Sequence, residues 1–87
     1  MDDTSKNLEN ETIKWLEKLR KELNKPGIKE IVDVIKEKLT REMIKNMNAY
    51  VEDCQHFLDK KDFIRAFEAI IYAWGIFETL KHMRFIK

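Results

Sequence analysis

The chain has 87 residues, 44% of them hydrophobic and 38% charged, with two Gly, one Pro, one Cys and a formal net charge of +1. That length suits one domain, 1–87, large enough for a single core without disulfides or metal, and the balanced charge argues against general nucleic-acid binding, which draws on a large basic excess. No apolar run approaches the roughly 20 residues of a membrane span, the acidic start MDDTSKNLENE does not read as a signal peptide, and a lone Cys fits a reducing compartment, so a cytoplasmic protein with no membrane contact is expected.

The first predicted element is a helix over about 5–24. At about 100° per residue, Leu8, Thr12, Trp15, Leu16, Leu19 and Leu23 fall on one face. Thr4 or Ser5 is placed to cap its N-terminus, and the run NKPG at 24–27 is expected to stop it. Opposite the apolar side, Lys14, Lys18, Lys21 and Lys25 share a face. Such a stripe could track phosphates, but Glu11, Glu17 and Glu22 flank it at helical spacing and cancel much of its field. No aromatic is interleaved for base stacking, so a solvated face is the plainer reading.

From Ile28 the apolar stripe continues through Ile31, Val32, Ile35, Leu39, Met43, Met47, Tyr50, Cys54, Phe57 and Leu58 without losing phase. It predicts one long helix over about 28–60. Such a helix would span about 50 Å, longer than its neighbours could cover, so a kink near Thr40 is the alternative. The run DKKD follows, with Asp62 placed to cap a third helix over 62–84.

That third helix carries a main face of Phe63, Ala66, Phe67, Ile70, Ala73, Trp74, Phe77 and Leu80, and a shoulder of Ile64, Ile71 and Gly75. Trp74, central on the main face, is expected to touch all three helices. Gly75 costs about 1 kcal/mol against Ala inside a helix, so a close helix–helix approach is its expected compensation. Ala69, Tyr72, Ile76 and Met83 form a surplus stripe away from the main face, and a self-association or partner surface is expected there. The fold expected is all-α, an up-down-up three-helix bundle.

Residues 43–86 carry a further pattern: Tyr50, Asp53 three residues on, the pair Phe57-Leu58, Asp62 at the next helix start, then Ala66, Tyr72, Ala73 and Gly75. This run resembles a small archaeal family known as domain of unknown function 357. At Cys54, Gln55 and His56 the chain is bulkier and more polar than that pattern. The resemblance implies a compact helical bundle with no established activity.

Asp53, beside Tyr50 and Phe57 at the edge of the apolar stripe, could act as an acid or base. A structural acceptor is the plainer role, since catalysis draws on several converging groups. Glu52, His56 and Asp59 share a helix face that could offer metal ligands, though helical-bundle sites take ligands from several helices. Cys54 falls on the buried side and reads as a small hydrophobe, and His82 reads as a complement to the helix dipole. No catalytic, cofactor or metal constellation emerges. The expected function is a non-enzymatic protein–protein interaction or self-association module whose partner is another protein or a second copy, as in a homodimer. The alternatives are an accessory nucleic-acid-binding protein using the Lys14, Lys18, Lys21 and Lys25 face, and an enzyme centred on Asp53 and Tyr72.

Overall fold

A computed structural model describes residues 3–28 and 30–87. Three helices, α1 (Asp3–Leu23), α2 (Glu37–Asp59) and α3 (Phe63–His82), form the bundle, with a short 3-10 turn at Val34–Lys36 ahead of α2. The molecule is a rod of 49 × 19 × 17 Å. α2 and α3 make the broadest contact, α1 lies mainly on α3, and α1 and α2 barely touch. Thr4, Ser5 and Leu8 share a surface depression with Lys61, Asp62, Phe63 and Ile64, and farther along Trp15 meets Trp74. α1 therefore runs parallel to α3 and antiparallel to α2, the up-down-up order expected.

The first helix begins at Asp3, so Thr4 and Ser5 sit within its first turn rather than ahead of it. Leu16, Leu19 and Thr12 are buried on the predicted face, and the Thr12 hydroxyl donates to the Leu8 carbonyl at 2.7 Å, which removes the cost of burying it. After Leu23 the chain turns through Gly27, whose φ of +71° is the left-handed conformation that glycine adopts freely.

The long second helix over 28–60 is not formed; α2 starts at Glu37, and residue 29 of that span lies outside the described residues. Two competitors displace the first turns. The Asp33 carboxylate accepts from the backbone N–H groups of Ile35 and Lys36 at 3.0 and 3.3 Å, which starts a helix after it rather than through it. On the other side the C-terminal residues offer a β partner: Val32 N–H donates to Phe85 O, and Lys87 N–H donates to Glu30 O. Ile31 and Ile86 form an antiparallel bridge there. α2 then runs as α-helix without interruption past Thr40, and the break in the predicted helix lies ahead of it, before Glu37.

The α2–α3 link has no slack. Lys61 N–H bonds back to Leu58 O and Asp62 N–H to Phe57 O at 2.8 Å, with Lys61 in the left-handed region at φ +60°. As expected, Asp62 caps α3, its carboxylate accepting from Arg65 N–H. α3 buries Phe63, Ala66, Ala69, Ile70, Ala73, Phe77 and Leu80. Two expectations for this helix change. Trp74 is only half-buried and belongs to the α1–α3 seam, where its indole N–H donates to Trp15 O at 2.9 Å and its ring meets Trp15 edge-on. Gly75 marks no close approach within the chain, since a Cβ placed there would meet nothing within 4 Å. The shoulder of Ile64 and Ile71 is likewise exposed.

Removing the Trp74 ring should loosen α1. Trp74→Ala is expected to cost about 3 kcal/mol, the low end for a large aromatic because the ring is partly exposed. Trp74→Phe should cost nearer 1 kcal/mol, the worth of a single hydrogen bond. Urea melts check both, and an unchanged midpoint for Trp74→Ala would show that this contact does not hold α1. Gly75→Ala should stabilise dilute protein by up to about 1 kcal/mol through helix propensity; a lowered melting temperature would mean the position is crowded after all.

Candidate functional site

The seven residues Tyr50, Asp53, Phe57, Arg65, Glu68, Ala69 and Tyr72 line a shallow groove of about 330 Å³ between α2 and α3. The first three stand on α2 at spacings of three and four residues, and the other four stand on α3 at spacings of three, one and three, so each set occupies one face. Because the link is tight, residues equidistant from Lys61 face one another: Tyr50 with Tyr72, Asp53 with Ala69, Phe57 with Arg65. Ala69, 5% exposed, supplies a floor without bulk.

The two tyrosine rings lie 5.4 Å apart at 44°. Arg65 places its guanidinium carbon 5.8 Å from the centre of the Phe57 ring and its Nε 3.5 Å from the Asp62 carboxylate. Asp53 and Glu68 are exposed on the opposite walls, and neither makes an ion pair or hydrogen bond among the described residues. The groove is thus lined by aromatic rings, by two carboxylates without a partner among the described residues, and by one guanidinium lying over a ring.

Several residues singled out in the sequence meet here, and others do not. Asp53 and Tyr72 share the groove. The surplus stripe divides: Ala69 is buried and Ile76 packs against the core, whereas Tyr72 and Met83 are 57% and 55% exposed. The lysine stripe is also divided. Lys14 and Lys18 stand over the Trp15 ring at 5.6 and 4.8 Å, and Lys25 pairs with Glu22 at 2.9 Å. Glu52, His56 and Asp59 remain on the α2 surface, where Asp59 accepts from Gln55 at 2.9 Å. Among the described residues no group of three or more His, Cys, Asp or Glu side chains is placed to hold a metal ion. None of the described helices is long and apolar enough to cross a membrane.

Arg65 and Glu68 are the groove residues that the sequence reading passed over. Their place follows from the hairpin register: counted outward from the turn at Lys61, they fall on the α3 face that meets Tyr50, Asp53 and Phe57.

A family model described as a protein of unknown function, DUF357, matches residues 14–86. The chain belongs to the DUF357 family. The match reaches well beyond the 43–86 run that carries the sequence resemblance and takes in α1 from Lys14 onward, so this helix is part of the DUF357 domain. Searches of curated proteins and of solved structures returned no match.

Cys54 lies beneath the groove-bearing helix face, fully buried and free. Burial pushes its thiol up to about 11 from an ordinary 9.0, with the Arg20 guanidinium pulling weakly the other way. A thiol held protonated by the fold favours the folded state fully below pH 9.0, and that contribution is lost as pH rises towards about 11. Native protein at pH 8 should therefore react with a thiol reagent only as fast as it unfolds, and Cys54→Ala should flatten the alkaline fall in stability. Rapid labelling of folded protein would show that the thiol is accessible.

Proposed function

We propose that this DUF357 protein is a non-enzymatic protein–protein interaction module that self-associates through the outer face of α3. One observation carries the reading: Ile64 and Ile71 stand 66% and 44% exposed on the same helix face as Gly75, whose missing side chain leaves open space. Glycine at mid-helix costs about 1 kcal/mol against Ala, and nothing inside the monomer offsets it. Against a second helix the bare backbone is a hollow. Ile71 is a knob one turn before it, so an antiparallel copy can set each Ile71 into the other's Gly75 hollow. Such a contact is self-complementary, as a two-fold interface must be.

This surface replaces most of the expected stripe. Tyr72 and Met83 border it, while Ala69 and Ile76 serve the interior. A cytoplasmic setting belongs to the same proposal and is supported by the single, free and buried Cys54.

Sedimentation equilibrium tests the reading. Wild-type protein should gain mass with concentration towards that of a dimer, and Ile71→Glu should remain folded by circular dichroism yet sediment as a monomer. Gly75→Leu, which fills the hollow, should do the same. Wild-type protein that stays monomeric throughout the concentration series, or an Ile71→Glu variant that associates as before, would overturn it.

A further inference from the structure

We infer that the groove between α2 and α3 is a binding site for an arginine side chain carried by a basic segment of another protein. The groove adjoins the Ile71–Gly75 face, with Tyr72 and Glu68 at the shared border, but the inference rests on the groove's own residues and not on self-association.

Charge and shape both point to that ligand. Asp53 and Glu68 set two carboxylates on opposite walls, and neither has a partner among the described residues. On the same two walls the Tyr50 and Tyr72 rings lie 5.4 Å apart, tilted at 44°, and Tyr72 is 57% exposed. A planar guanidinium satisfies all of these at once: it stacks on an aromatic face, and its fork of N–H groups reaches carboxylates on either side. An ammonium group has the charge but not the plane or the fork.

The lower end of the groove already contains an instance of this chemistry. Arg65 lies over Phe57, its guanidinium carbon 5.8 Å from the ring centre, with the Asp62 carboxylate 3.5 Å from its Nε. The upper end repeats the combination, aromatic ring beside carboxylate, without an occupant from the chain itself. Ala69 keeps the floor low enough for a side chain to lie between the walls. An apolar ligand would leave both carboxylates desolvated and unpaired, and an anion would be repelled by them.

The probe is the blocked tripeptide acetyl-Gly-Arg-Gly-amide, titrated into the full chain and followed by NMR at the Tyr50 and Tyr72 ring protons. Saturable shifts confined to the groove are expected. The same peptide with citrulline in place of arginine, isosteric but uncharged, should not bind. Asp53→Asn and Glu68→Gln should each weaken binding about three- to fivefold, the worth of one exposed charge or cation–π contact. Arg65→Gln should strengthen it, because the resident positive charge then no longer opposes the incoming one. Equal shifts from the citrulline peptide, no saturable shift, or weaker binding by Arg65→Gln would each overturn the inference. Circular dichroism of the three variants, all exposed or half-exposed substitutions, keeps a folding defect from being mistaken for lost binding.

Discussion

Asp62 closes one helix and opens the next within a single residue. Its N–H completes the end of α2 by donating to Phe57 O at 2.8 Å, and its carboxylate accepts from Arg65 N–H at the start of α3. With Lys61 held at φ +60° between them, the link cannot lengthen or shorten without breaking one of these bonds. The hairpin register follows, and so does the broad α2–α3 contact, in which Ala66, Ala69 and Ala73 are at most 5% exposed. Small side chains on the buried side let two backbones approach over several turns. The cost is a lysine in a conformation that disfavours residues with a Cβ by about 1–2 kcal/mol, and the α3 C-terminus repeats it with Arg84 at φ +57°. Each of these residues terminates a helix whose last carbonyls would otherwise lack partners.

α1 depends on that hairpin more than the hairpin depends on α1. It touches α2 little, with Arg20 reaching Gln55 at 3.2 Å as a cross-link at the surface. Its position is set instead by the Trp15–Trp74 pair, where an edge-on ring contact and an indole hydrogen bond act at the same point. The outward face of Trp15 is in turn covered by Lys14 and Lys18, whose stems and charges lie over the ring. Part of the lysine stripe therefore serves to shield an aromatic from water, a role that periodicity alone does not distinguish from phosphate binding.

Helix existence, order and burial periodicity were legible because Leu16, Leu19, Met47, Cys54, Ile70 and Phe77 repeat at helical spacing and are buried where that spacing puts them. The start of α2 was not legible. Ile28, Ile31, Val32 and Ile35 keep helical phase, yet the chain there pairs with residues 85–87, more than 50 positions away, and local pattern carries no information about such a partner. Val32, Val34 and Ile35 consequently stand 55%, 76% and 91% exposed. The surplus stripe divides, Ala69 and Ile76 inward and Tyr72 and Met83 outward, for a related reason. Counting faces on α3 gives the two neighbours the main face and the shoulder, whereas the shoulder is exposed and α2 approaches from the side of Ala69 and Ile76. Tyr50, Asp53 and Tyr72 stood out in the sequence one by one. That they share a groove with Arg65 and Glu68 became visible only once the turn at Lys61 fixed which residues face each other.

Three rods packed side by side leave part of each one facing water, and what each shows there differs sharply along this chain. α1 shows Lys14, Glu17, Lys18 and Lys21, and α2 shows Arg41, Glu42, Lys45 and Glu52. α3 shows Ile64, Ile71, Tyr72 and Gly75 beside Arg65, Glu68, Glu78 and Lys81. The difference cannot come from composition, because the same chain supplies charged residues freely to the other two helices. Nor does packing account for it, since Gly75 meets no neighbour and a side chain there would fit. Isolated exposed apolar residues are ordinary on soluble proteins. Ile64, Ile71 and Gly75 share a face of the one helix that already serves two partners inside the bundle, and the proposed self-association would cover that face.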